Sequence, residues 1–143
     1  MTRAYRASSS IVFDERLAST PTNASTTRFT VVAPNRLAYD TRSGPSAVVI
    51  GGRRWDRARA GTAWVESPQT PLAVTDPYWQ KPTNAHLVAP NTITFLDRRI
   101  PAWFRVTVAS GRPSVSRMTA AAHFMVDRYY GFDVPATVSP PSR

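Results

Sequence analysis

Apolar side chains in this sequence recur at every second residue, in short segments broken by glycine or proline. That period of two belongs to strands, not helices. In Ser10–Leu17 the residues Ile11, Phe13 and Leu17 alternate with Asp14 and Arg16, and Glu15 stands out of phase. Thr26–Ala33 sets Phe29 and Val31 against Arg28 and Thr30, and after the turn signal Pro34–Asn35, Leu37 and Tyr39 share a phase in Arg36–Thr41. Ser43-Gly44-Pro45 ends that segment, and Ala47–Ile50 is a short apolar run closed by Gly51–Gly52. Trp55 and Ala63-Trp64-Val65 extend the meander. Strands resume at Thr92–Leu96 and Ala102–Val108, where Phe104 and Val106 alternate with Arg105 and Thr107. Ser110–Gly111 marks a hairpin turn, followed by a long strand region, Ser114–Tyr130, with breaks or a helical turn near Thr119–Ala122.

Proline removes the alternative. Pro68, Pro71, Pro77, Pro82 and Pro90 forbid any helix interior between Ser67 and Pro90, which reads as an extended, surface-running connection. The expected fold is mainly β with little helix: about eight to ten strands in sequential hairpins that curl to bury one face. At 143 residues the chain makes one domain, with a core over 9–134, a proline-rich connection over 66–90 and a tail over 135–143 that is expected to fray.

Composition narrows the chemistry. The absence of cysteine excludes disulfides, thiolate catalysis and cysteine-ligated metals. No apolar run is long enough to span a bilayer, and Met-Thr-Arg-Ala-Tyr-Arg does not read as a signal peptide. Eighteen basic residues against nine acidic leave a net charge of +9, and with Lys81 the only lysine, seventeen of the eighteen are arginine. Such a bias fits a GC-rich bacterial genome. The surplus attracts phosphate, but apart from Arg53, Arg54, Arg57 and Arg59, and the pair Arg98–Arg99, it is scattered. Scatter argues against dedicated nucleic-acid binding, whose proteins gather charge on one face, and attraction to an anionic membrane surface fits the surplus at least as well.

Nothing in the sequence is spaced for catalysis. None of the nine acids forms a pair placed for general acid and base, and no Gly-x-Ser-x-Gly elbow or phosphate-cradling glycine loop is present. The chain reads as non-enzymatic and without a resident cofactor. Copper is the one metal to weigh, because imidazole and thioether suit Cu(I). On a strand His123 and Met125 share a face, with His86 a further donor and Met118 at the opposite parity; the bland alternative has Met125 filling a core gap. Trp55, Trp64, Trp79 and Trp103 most simply close the ends of a core. Tyr78–Trp79, in the connection, is the better candidate for lining an apolar cleft or meeting a bilayer.

Two blocks carry a family resemblance. Arg28–Tyr39, followed by Val48-Val49-Ile50-Gly51-Gly52-Arg53-Arg54-Trp55-Asp56, resembles the LolA/LppX-like lipoprotein-carrier superfamily. Ile100–Val106, with Met118–Met125 and Tyr129-Tyr130-Gly131-Phe132, is similar to the extracytoplasmic domains attached to CopD-type copper-resistance membrane proteins of actinobacteria. The resemblance implies a strongly curved antiparallel sheet, a half-open barrel whose apolar concavity holds acyl chains under a helical lid. This chain departs from it in reaching its first strand within about ten residues by its alternation, and in a lid region broken by proline. It implies an extracytoplasmic location, as a domain trimmed from an exported or membrane-anchored protein. The expected ligand, a lipid or acyl chain, lies on a concave face of Phe29, Val31, Leu37, Tyr39, Val48, Ile50, Phe104 and Val106, with Trp55 and Trp64 near the rim. A copper-handling accessory role through His123 and Met125, and a purely structural protein-interaction role, are the alternatives.

Overall fold

The computed structural model describes residues 1–20 and 22–142. One helical turn, α1 (Thr2–Arg6), precedes a single antiparallel sheet of eleven strands. The first six are β1 (Ser10–Ala18), β2 (Ala24–Val32), β3 (Arg36–Thr41), β4 (Ser46–Ile50), β5 (Arg53–Arg57) and β6 (Val65–Pro68). The rest are β7 (Pro82–Ala89), β8 (Thr92–Asp97), β9 (Ala102–Ala109), β10 (Arg112–Thr119) and β11 (Phe124–Phe132). In space the order is β6-β5-β4-β3-β2-β1-β11-β10-β9-β8-β7. Every consecutive pair of strands is therefore adjacent except β6 and β7, while the first strand pairs with the last. The sheet is a curved meander with a single open seam, and the chain crosses that seam through residues 69–81.

The turns explain the local order. Ser110 and Gly111 both take positive φ, 51° and 76°, the geometry of a two-residue hairpin turn that suits the twist of β9 and β10. The two seam strands are protected edges. β6 is four residues long and ends at Pro68, while β7 begins at Pro82 and slips register twice against β8. The strand count exceeds the expected eight to ten by one, and a break in Ser114–Tyr130 is found where one was expected. The proline-rich connection is not irregular throughout, because Pro82–Ala89 forms an edge strand, where missing N–H donors are tolerated. Ser114–Tyr130 is two strands, separated by a turn that the Ala120 N–H closes on the His123 carbonyl at 2.9 Å.

One face of the sheet carries the core, in two clusters. The first centres on Ile11, Phe13, Val31 and Tyr129; the second centres on Phe95, Phe104 and Val106 beneath Trp79. Each fully buried side chain of this size contributes about 1.5–3 kcal/mol. Tyr5 of α1 joins the clusters, with its ring edge-on to Trp79 at 6.0 Å and to Tyr129 at 5.9 Å. The tail does not fray: Val138 is buried, and Arg36 Nη1 donates to its carbonyl at 3.1 Å.

Candidate functional site

Cross-strand register decides which side chains meet, because directly opposed residues share a face. Ile11, Val31, Leu37 and Val49 form one row across β1 to β4, and Phe13, Phe29, Tyr39 and Ala47 form the next. Phe13 and Phe29 stack at 4.8 Å, and Tyr39 tilts against Phe29 at 5.8 Å. Over these rows runs a strap, Leu72-Ala73-Val74 to Tyr78, held at one point by the ion pair of Arg6 with Asp76 at 2.7 Å. Sheet and strap enclose a groove of about 240 Å³ lined by Phe13, Phe29, Val31, Leu37 and, from above, Leu72, Val74, Tyr5 and Tyr78. Toward β5 the face turns polar: Arg54 bonds Asp56 at 2.7 Å and donates to the Tyr39 hydroxyl at 3.1 Å. The groove ends there.

Beside the groove lies a row of different chemistry. Ser116, Asp127, Glu15, Thr27 and Thr41 are successive partners across β10, β11, β1, β2 and β3, all on the core face. Glu15 and Asp127, distant in sequence, are therefore direct neighbours, a pairing that the spacing of the acids along the chain did not show. Tyr78 donates its hydroxyl to Glu15 Oε2 at 3.2 Å, and Tyr129 donates to Asp127 Oδ2 at 3.1 Å. Burial, then the nearby Glu15 charge, pushes the Asp127 carboxyl up to about 7. Burial also raises Glu15, against the lowering effect of the Tyr78 hydrogen bond. The Tyr5, Tyr78 and Tyr129 hydroxyls are pushed far up, first by burial and then by these carboxylates, so they remain donors. Among the described residues, Asp127 Oδ1 and Ser116 Oγ are buried with no partner. The sequence did carry a signal for this row, since Glu15 stands where the alternation of β1 calls for an apolar residue.

The anticipated lining residues divide between the faces. Phe29, Val31 and Leu37 line the groove, Tyr39 borders it, and Phe104 and Val106 lie on the same face under Trp79. Val48 and Ile50 do not. Val48 is opposed to Ala38 and Trp55, Ile50 to Arg36 and Arg53, so these residues and Trp55 occupy the other face. There Ile50, Trp55 and Trp64 border a wide hollow of about 1070 Å³ with Arg53, Glu66 and the Pro140-Pro141-Ser142 tail. The tryptophans divide too. Trp79, 1% exposed, closes the core rather than lining a cleft, whereas Trp103, 53% exposed, stands outside the core.

The copper pair does not assemble on one strand face. His123 lies exposed in the turn ahead of β11, with Nδ1 3.3 Å from Ser19 Oγ, while Met125 is buried on the core face opposite Met118. Met118 thus shares the face of Met125 because it belongs to the neighbouring strand. His86 is exposed on β7, and among the described residues no three His, Cys, Asp or Glu side chains gather as metal ligands.

The outer face carries the free positive charge. Arg105 of β9, Arg117 of β10 and Arg16 of β1 lie in one cross-strand row through Val126, and all three are exposed. None of them forms an ion pair among the described residues. The adjacent row presents Trp103, Thr119 and Phe124, with Phe124 51% exposed. Among the described residues no helix is long and apolar enough to cross a membrane. Compared with known proteins, the chain matches no family model and no curated protein.

Proposed function

We propose that this protein is a non-enzymatic binding domain that holds a hydrophobic ligand, a lipid or a single acyl chain, on the core face of its open sheet. It works outside the cytoplasm as a domain of an exported or membrane-anchored protein. The observation that carries the reading is the groove between Phe13, Phe29, Val31, Leu37 and the strap. Its 240 Å³ is room for about eight water-sized groups, enough for a short stretch of chain. Each methylene buried there contributes about 0.8 kcal/mol. The open eleven-stranded meander agrees with the half-open barrel that the resemblance to the lipoprotein carriers implies. Strap residues Leu72 and Ala73 are exposed and belong to no strand.

The partner surface is an anionic leaflet. Arg16, Arg105 and Arg117 supply charge, and Trp103 and Phe124 supply side chains suited to the interface. Native mass spectrometry of protein purified gently from a bacterial host tests the ligand. An adduct of lipid mass that organic extraction removes is expected, and bare protein before extraction contradicts the reading. Co-sedimentation with phosphatidylglycerol vesicles tests the surface: binding falls with salt and with Arg16, Arg105 and Arg117 replaced by serine. Equal binding to phosphatidylcholine vesicles removes the leaflet as partner.

A further inference from the structure

We propose that the Ser116–Asp127–Glu15 row is the head-group site of the groove, and that the ligand is an apolar chain ending in a primary amine. The inference rests on the groove being a ligand site and adds the class of ligand. Four observations point to a donor head. In a protein of net charge +9, neither Glu15 nor Asp127 forms an ion pair among the described residues; their partners are tyrosine hydroxyls. Asp127 and Ser116 are 0% exposed, and Asp127 Oδ1 and Ser116 Oγ, both able to accept a hydrogen bond, have no partner among the described residues. Tyr5 and Tyr78 line the apolar groove and also stand against this row, so chain and head sites share a wall. Finally, Tyr78 as a residue is 44% exposed while its hydroxyl caps Glu15, which is the arrangement of a removable plug.

An ammonium group arriving along the groove takes the place of the Tyr78 hydroxyl on Glu15 and reaches Asp127 Oδ1. Burial and then the Glu15 charge push the Asp127 carboxyl up to about 7, and a cation seated between the two carboxyls favours their ionised forms. A carboxylate or phosphate head meets repulsion instead, although the field of the whole protein favours it.

The test is a calorimetric titration of the intact chain at pH 7 with octylamine, 1-octanol and sodium octanoate, whose shared eight-carbon chain holds the apolar contribution constant. Octylamine is expected to bind at least tenfold more tightly than octanoate, with octanol between them. In Glu15→Gln/Asp127→Asn, which preserves shape, that preference disappears. Tyr78→Phe leaves both carboxyls and removes the plug, so octylamine binds several-fold more tightly. Equal affinity for the three probes, tighter octanoate, a preference that survives the double variant, or weaker octylamine binding in Tyr78→Phe each overturns the head-group site while leaving the groove standing. Failure of all three probes to bind at millimolar concentration overturns the groove and this inference with it.

Discussion

The two halves of the core face are built alike and covered differently. Each contains a stacked phenylalanine pair on adjacent strands: Phe95 and Phe104 at 5.2 Å on β8 and β9, Phe13 and Phe29 at 4.8 Å on β1 and β2. Over the first pair sits Trp79, edge-on to both rings at 5.9 Å, with its indole N–H donated to Thr2 Oγ1 at 3.1 Å. The cover over the second is Leu72-Ala73-Val74, and Phe29, Leu37 and Tyr39 beneath it stay half-buried. One strap thus closes one half with an indole and leaves a groove over the other. The open space over each half is set by the covering segment, and the strands supply an apolar floor in either case.

Asp97 and Asp127 repeat the contrast in polar form. Both are 0% exposed. Burial pushes Asp97 up, but the backbone N–H groups of Lys81, Gln80, Arg99 and Ile100 outweigh it and hold the carboxyl below its usual range. Those bonds, among them Gln80 N–H at 2.6 Å and Lys81 N–H at 2.8 Å, pin the strap directly after Trp79. Asp127 has one tyrosine hydroxyl and is raised instead. Asp97 is anchored and satisfied, whereas Asp127 and the neighbouring Ser116 are under-satisfied, at the junction between the two halves.

Substitutions that equalise the halves have graded effects. Trp79→Ala, which opens a second cavity over Phe95 and Phe104, is expected to cost about 3–5 kcal/mol in urea denaturation. Asp127→Asn acts with pH. Its folded-state value of about 7 lies above the unfolded one, so the native state binds the proton more tightly and stability falls as pH rises from about 4 through 7. The groups facing it are Glu15 of β1, whose carboxyl burial also raises, and the hydroxyls of Tyr5 of α1, Tyr78 of the strap and Tyr129 of its own strand, which are pushed far up and stay protonated across this window. At about 1.4 kcal/mol per unit, the variant is expected to gain on the order of 2–4 kcal/mol over the parent at pH 8 and to coincide with it near pH 4. Thermal melts across that range check it. In the filled half, Asp97→Asn turns an amide N–H toward backbone donors and costs about 2–3 kcal/mol at pH 7, read by the same denaturation. Leu37→Phe, which fills the groove from its floor, changes stability by less than about 1.5 kcal/mol yet abolishes octanol binding.

What the sequence disclosed follows from where alternation carries phase. Phe29, Val31, Leu37 and Tyr39 sit in segments whose polar neighbours fix the inward parity, and Phe104 and Val106 are fixed by Arg105. Val48-Val49-Ile50 is apolar at every position, so it has no phase of its own; β4 restarts after Pro45 with Ala47 and Val49 inward, which turned Val48, Ile50 and Trp55 to the other face. Trp79 gave no local signal at all. It lies between prolines in a segment without regular structure, and its burial depends on a sheet face of β8, β9 and β10, which follow it in the chain, and on α1, which precedes it by more than seventy residues. Glu15 gave a signal of the opposite kind, a charge at an inward position, but its partner Asp127 is brought to it only by the pairing of the first strand with the last.

On the function proposed above, the β1–β3 half of the core face is a ligand groove while the β8–β10 half is filled core. Isotope-edited NMR of the protein with 1-octanol tests it most directly, by the nuclear Overhauser contacts of the octyl chain. Contacts are expected to Phe13, Phe29, Val31 and Leu37 and to the strap at Leu72 and Val74, with Phe95, Phe104 and Val106 silent. Contacts concentrated around Trp79 and Phe95, or an octyl chain that touches neither half, would contradict it.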